Sequence, residues 1–350
     1  MNATRQSLLD ELRQQGVLDQ PAADRLLQQA SAPWYVSLLS ALAAWLAALL
    51  LIGGTLFTLI DDSAAAAAVT GAIVLGLAVG LLRQAGVFIS QLGLALSLVG
   101  QGLLILAASQ WDITGLGAQR LPALTALVVA AGMLWVPANT LHRLVCALIA
   151  MGAVAVFIGL HGWLVPYGLL LAALAIWLWL RRSHWAGSRG AGIWRALAGA
   201  ATLGALVLPL IGKQRWVDSA LMGLGDGALF KWIYSAGAGA LLLATGQILL
   251  RGQQGGIRLA VAAAVLVLIA LGANAPGLLM ALALWLAVFH ACERFWSVLV
   301  GAGATLYLAD LYYSLHITLL EKSILLVVSG LVLLALRWVL LRQWRQGHDI

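Results

Sequence analysis

Charge is scarce in this 350-residue chain: 9% of its residues are Asp, Glu, Lys or Arg, while 63% are hydrophobic. A soluble domain keeps roughly a quarter of its residues charged, because it has a wet surface to cover. A soluble globular fold is therefore excluded. Cysteine is almost missing too. Only Cys146 and Cys292 occur, near the ends of apolar runs and in no framework spacing, which excludes a disulfide-stapled exterior. Catalytic signatures are lacking as well. There is no Gly-x-x-x-x-Gly-Lys loop, no His-Glu-x-x-His and no Gly-x-Ser-x-Gly elbow, so no enzyme is expected.

What fills the chain is apolar runs of roughly 14 to 26 residues, separated by short polar punctuation. A run of about twenty crosses the hydrocarbon core as a helix, which satisfies its own backbone where water is absent. Runs fall near Tyr35–Ile60, Ala64–Leu82, Val87–Ala108, Leu121–Val136, Leu144–Leu160 and Val165–Leu180. A second set falls near Ala196–Ile211, Ile233–Leu250, Leu259–Asn274, Pro276–Phe289, Trp296–Tyr313 and Ser323–Leu341. The expected fold is all-α, a polytopic transmembrane bundle of about twelve spans. Several runs are short, and Leu259–Phe289 could form a re-entrant or merged pair around Asn274-Ala275-Pro276-Gly277.

Orientation follows from the cations. With the N-terminus in the cytoplasm, Arg120, Lys213, Arg215, Lys231 and Lys322 fall outside. The other fifteen of the twenty Lys and Arg fall at inner segments or inner span ends, and all are arginines. An odd span count would scramble this alternation, so both termini are expected in the cytoplasm. Tryptophans at run ends, including Trp34, Trp111, Trp135, Trp232 and Trp296, fit an interfacial belt. The net charge of +7 is thus explained by topology, with membrane lipid as the partner and no nucleic acid. The first 33 residues carry Asp10, Glu11, Asp19 and Asp24 and no apolar core, so no cleavable signal peptide is expected. High Ala, Leu, Gly and Arg usage points to a GC-rich bacterial genome, and so to a multi-pass protein of the inner membrane.

Four segments are expected along the chain. Residues 1–33 read as a cytoplasmic helical hairpin, with stripes Leu8, Leu9, Leu12 and Ala23, Leu26, Leu27 on either side of Gly16 and Asp19. It would serve as a cap on the cytoplasmic face or as a docking element. Residues 34–182 and 196–350 form two six-span halves, joined by a cytoplasmic linker over 183–195. Punctuation recurs six spans apart: Leu81-Leu82-Arg83 against Leu249-Leu250-Arg251, and Arg143, Leu148, Gly152, Ala153 against Arg294, Leu299, Gly303, Ala304. A parallel six-plus-six duplication would produce this. Chance matching of Leu/Ala/Gly helices, with arginine imposed at inner ends, would also do so.

Ionisable groups inside a membrane are costly, and so are the default place to look for function. All thirteen acids lie outside the runs or at their ends except Asp310, so a buried-acid proton relay is not expected. Asp310 is spaced to share a face with Tyr307 and Ser314. Gln91, Gln101 and Gln247 read as interhelical hydrogen bonding, or as the lining of a solute path. His142, Arg143 and Cys146 at one inner end, and His290, Cys292, Glu293 and Arg294 at another, match no zinc spacing and read as solvated helix ends. No metal and no cofactor are expected. Gly76-x-x-x-Gly80 and the run Ala236-Gly237-Ala238-Gly239-Ala240 read as packing seams.

On the outer side, Lys213 to Trp232 mixes charge with Leu221, Met222, Leu224 and Phe230, and would lie on the interface or against a partner. The last outer turn runs Tyr312-Tyr313-Ser314-Leu315-His316-Ile317-Thr318-Leu319-Leu320-Glu321-Lys322-Ser323. This Tyr-Tyr-x-Leu-x-x-Thr-Leu-Leu-x-Lys-Ser pattern resembles the C-terminal signature of a bacterial membrane family, domain of unknown function 4401. Gly16-Val17-Leu18 and Ala22 to Leu27 resemble the start of a sister family, domain of unknown function 2157. The first resemblance implies no established activity. It also implies similarity to proteins encoded beside a small membrane-anchored partner with a Gly-Asp-Tyr motif. It marks Tyr312, Tyr313, Leu315, Thr318, Leu319, Leu320, Lys322 and Ser323 as family positions.

Two functions are then in play. One is a non-enzymatic inner-membrane component that meets a partner at its outer face through Tyr312, Tyr313, Leu315, Thr318, Lys322 and Ser323. The other is a secondary transporter of a neutral or weakly charged solute, with a polar site among Asp310, Tyr307, Gln91, Gln101 and Gln247.

Overall fold

The structure, a computed structural model, describes residue 11 and residues 34–59, 63–84, 86–111, 119–159, 164–211, 227–252, 255–272 and 275–314, with further positions between 320 and 338. The expected hairpin over 1–33, residue 11 apart, and most of the Lys213–Trp232 loop lie outside the described residues. Every described element is helical. In chain order they are α1 (Trp34–Leu59), α2 (Ala64–Leu82), α3 (Val87–Gln110), α4 (Arg120–Leu134), α5 (Thr140–Ile158) and α6 (Leu164–Leu180). Then follow α7 (Arg182–Trp185), α8 (Ala191–Ile211), α9 (Gly227–Leu249), α10 (Gly255–Leu271), α11 (Pro276–His290) and α12 (Arg294–Ser314). The first eleven apolar runs each become one helix, with ends shifted by up to six residues. The pair around Ala275 is two helices, with Pro276 in the first turn of α11, where its missing N–H costs nothing.

Among the described residues, six helical stretches are long and apolar enough to cross a membrane: Ala64–Leu82, Val87–Gln110, Thr140–Ile158, Ala191–Pro209, Trp232–Leu249 and Arg294–Tyr313. Others, such as α4, α6 and α11, are apolar but shorter. The outer surface identifies the solvent. Leu39, Leu46, Val128, Leu259 and Val298 are exposed, and Leu50 is 77% exposed. In water so large an apolar surface would be costly; against lipid tails, large apolar residues lose nothing by facing out. Inside, fully buried Ala172, Ala175, Ala198, Ala201, Ala205, Ala281, Ala283 and Ala287 let backbones approach between larger side chains such as Trp179, Leu178 and Leu284. The protein is membrane-embedded.

The chain divides into two compact units, residues 1–62 with 72–100, and residues 63–71 with 101–350. In the first, Gly86 takes a positive φ of 133° between α2 and α3, a conformation that favours glycine. A Cβ on Gly93 would stand 3.1 Å from Leu82 Cγ, so this glycine admits close contact. In the second unit α6 and α11 are central. α6 packs on α8, α9 and α11, while α11 also meets α8, α9 and α12. α4 lies on α5, α5 on α8, and α10 on α9.

Glycines on these helices are holes for large side chains. A Cβ on Gly199 would overlap the indole of Trp296, with Leu144 Cδ1 3.1 Å away. One on Gly277 would overlap the Tyr307 ring, and one on Gly237 would stand 2.8 Å from Leu169 Cδ2. The expected seam at Gly237 and Gly239 is therefore present, Gly239 facing Ile269 of α10. At Gly76 and Gly80 no seam is seen among the described residues. A Cβ at either would meet nothing within 4 Å among the described residues, because that face of α2 is exposed. Trp296, expected in the interfacial belt, is instead buried in the Gly199 hole.

Gly199→Ala should destabilise the protein by about 1–3 kcal/mol through overpacking against a rigid ring. Gly76→Ala, in open space inside a helix, should leave stability unchanged or raise it by up to about 1 kcal/mol. Thermal unfolding of both variants in the same detergent checks the contrast.

Candidate functional site

Where α6, α7, α8, α11 and α12 meet, one carboxylate is held by two arginines. α6 ends at Leu180, and the chain turns at Arg181 into the single turn α7. Trp185 closes this link by donating its indole N–H to Leu178 O at 2.8 Å, which satisfies a carbonyl that the helix end would otherwise leave bare. Arg182 is thereby aimed at the end of α11. Its Nη1 donates to Ala291 O, the C-cap carbonyl of that helix. A cation there also favours the negative end of the helix dipole.

The α11–α12 link is two half-turns around Cys292. Cys292 N–H donates to Phe289 O at 3.0 Å, and Glu293 N–H to Val288 O at 3.4 Å. Together these are the Schellman pattern, whose left-handed residue is usually glycine. Here it is Cys292, at φ 56°. Glu293 then begins the next helix: its carbonyl accepts from Ser297 N–H at 2.9 Å. This double role fixes the carboxylate in place.

Glu293 Oε1 lies 2.8 Å from Arg182 Nη2, and Oε2 lies 2.9 Å from Arg195 Nη2 on α8. The Glu293 side chain is 8% exposed, against 34% and 44% for the two arginines. The carboxylate is thus buried while both guanidinium groups still reach solvent. Burial of this acid is tolerated only because both oxygens are paired. Behind it stands an aromatic wall. Trp179 stacks at 6.1 Å from Trp296 and 6.3 Å from Trp185, and donates to Thr202 Oγ1 at 2.9 Å. Glu293 is therefore no solvated helix end, as its position in the chain suggested.

His142 and Cys146 depart from that expectation too. Both are buried on α5, with Cys146 Sγ 3.6 Å from His142 Nε2 and accepting from Gln101 Nε2 at 3.7 Å. His290 and Cys292 at the other end are exposed. Among the described residues no group of three or more His, Cys, Asp or Glu could hold a metal ion.

The polar residues singled out in the sequence have separate neighbours. Gln101 bonds to Cys146, and Gln247 Oε1 accepts from Arg258 at 3.4 Å. Tyr307 is buried with its hydroxyl donating to Leu206 O. Gln91 and Asp310 are half-buried. At the far end of α12, Tyr312 and Tyr313 meet edge to face with centroids 5.4 Å apart; Tyr312 is half-buried and Tyr313 81% exposed. Ser323 is exposed and in a helical position, while Leu315, Thr318 and Lys322 lie outside the described residues. The Glu293 site was missed because its arginine on α8 lies 98 residues away in sequence. The one available signal was a lone acid among inner-end arginines.

Glu293→Ala should cost about 2–4 kcal/mol, at the lower side of a buried pair's loss because both guanidinium groups can turn to water. Arg195→Ala should cost less, since Arg182 still holds the carboxylate; thermal unfolding of the two variants decides. Cys292→Gly should raise stability by about 1 kcal/mol by relieving the left-handed backbone. A Cys292→Gly variant that unfolds at or below the parent temperature would show that the φ of this link is not strained.

No curated protein and no solved structure matches the chain. A protein family does. Its match runs from residue 33 to residue 343, from the start of α1 through the last described helical position and beyond. It is the family that the Tyr312–Ser323 pattern resembles, and on that coverage the chain belongs to the family described as Domain of unknown function (DUF4401).

Proposed function

We propose that the protein is a non-enzymatic, multi-pass component of a bacterial inner membrane that works with a partner at its outer face. The observation that carries this reading is the Tyr312–Tyr313 pair. An edge-to-face aromatic pair at a helix end, with one ring 81% exposed, offers a ready anchor for a second polypeptide. The pair opens the segment that marks the family, and the resemblance brings with it a small membrane-anchored partner.

The proposed topology has about twelve spans, a six-plus-six arrangement and both termini in the cytoplasm. It draws support from which helix ends gather. The link after α6, the start of α8 and the α11–α12 link meet at Glu293, and Arg143 near the start of α5 reaches Gly192 at the start of α8. These are the ends that the arginine count places on the inner side. Tyr307, Gly277 and the last turns of α8 gather toward the opposite end.

Transport of a neutral solute has less support. Gln101 and Tyr307 are each engaged with a neighbouring helix, and Gln247 with Arg258.

Tagged protein isolated from its native membrane should carry a small membrane protein in fixed proportion, identified by mass spectrometry. Tyr312→Ala with Tyr313→Ala should lower that yield about tenfold or more, as loss of a buried aromatic anchor does, while the protein remains inserted. Undiminished co-isolation from the double variant would remove this site from the reading. Isolation of a solitary protein would remove the partner itself.

A further inference from the structure

Among the described residues of α5 to α12, the end that holds Glu293 carries far more positive charge than its own acid neutralises. Segments 140–143, 181–195 and 291–294 meet there, and among them Glu293 is the single carboxylate. Against it stand Arg143, Arg181, Arg182, Arg189, Arg195 and Arg294. Arg182 and Arg195 share Glu293; the other four have no carboxylate partner among the described residues. Arg143 is the most telling. Its guanidinium lies against Gly192, one helical turn from Arg195, and its buried Nε meets no acceptor among the described residues. Arg143, Arg182 and Arg195 therefore stand near one another at one end of the bundle, with their repulsion only partly offset.

The flank of this cluster is apolar and aromatic. Arg181 sits over the exposed ring of Trp177, 5.0 Å from its centroid. Exposed Trp194 precedes Arg195 and exposed Phe295 follows Arg294 in the chain, so apolar rings are present on the surface at this end. An occupant must then satisfy two demands, an anionic head with several acceptor oxygens and an apolar body alongside. Free phosphate meets the first alone. An anionic phospholipid meets both, with its phosphate at the arginines and its acyl chains along the exposed face of α6 that carries Trp177.

We propose that this cluster is a binding site for the phosphate headgroup of an anionic phospholipid, held by Arg143 and Arg181 beside the Arg182–Glu293–Arg195 bridge. The proposal is independent of the outer-face partner and of which membrane face is cytoplasmic, since both leaflets of a test bilayer can carry the same lipid.

The test places the full chain in nanodiscs of phosphatidylglycerol or of phosphatidylcholine and counts lipids retained by native mass spectrometry after gentle release. The parent protein should retain phosphatidylglycerol preferentially. Arg143→Gln with Arg181→Gln leaves the Glu293 bridge intact, and should lower that retention about thirtyfold, roughly fivefold per arginine. Should the double variant fail to fold, the exposed Arg181→Gln alone supplies the comparison, with about a fivefold loss. Equal retention of the two lipids overturns the proposal, as does retention unchanged by the substitutions. A third arm adds inorganic phosphate to the protein in uncharged detergent. Thermal stabilisation equal to that given by phosphatidylglycerol would make this a free-anion site and overturn the lipid assignment.

Discussion

The close approach of helix backbones is what the rest of the structure depends on. Between helices in lipid there is little hydrophobic drive, because a leucine gains nothing by leaving hydrocarbon for protein. Attraction must come from dispersion at short range, and short range requires small side chains. The fully buried alanines of α6, α8 and α11 supply it, interleaved with buried Leu178, Leu279, Leu284 and Val288. Once helices lie this close, a missing Cβ becomes a socket. Gly199 takes Trp296, Gly277 takes Tyr307, and Gly204 faces Leu171 Cδ1 across what would be 2.8 Å. These fits fix how far each helix slides along its neighbour, which small-on-small packing alone would leave undetermined.

Polar groups follow from the same closeness. Thr202, Thr245 and Thr125 turn their hydroxyls back to carbonyls of their own helices, leaving smooth contact surfaces. Tyr167 reaches Met151 O on α5 at 2.6 Å, and Trp179 reaches Thr202 across to α8. Buried polarity thus joins neighbouring helices in pairs. Ionised groups gather around Glu293, at the end where α6, α8, α11 and α12 meet.

Much of the fold was legible along the chain, because a membrane helix must satisfy its own backbone and announces itself as an unbroken apolar run. That is why α2 was placed at Ala64–Leu82 to the residue. What one run does to another was less legible. Exposed Trp135 and Trp232 fit a belt, whereas Trp296 of the same residue type fills a hole made by Gly199, far away in the chain. Gly76 and Gly80 show the converse: spacing suited to a seam, on a face without a neighbour among the described residues. The left-handed turn at Cys292 was not legible because such backbone is usually signalled by glycine, and here it is not. Of the candidate site, Tyr312 and Tyr313 were recognised by pattern. The Glu293 bridge needed three dimensions.

Tyr307 does two things at once. Its ring occupies the space over Gly277 on α11, and its hydroxyl holds Leu206 O on α8. That carbonyl lies one turn before Pro209, which sits in the last turn of α8. A single phenol thereby ties together three helices, one of them 101 residues away in the chain, so that losing it would loosen the α11–α12 fit and free the α8 carbonyl at once.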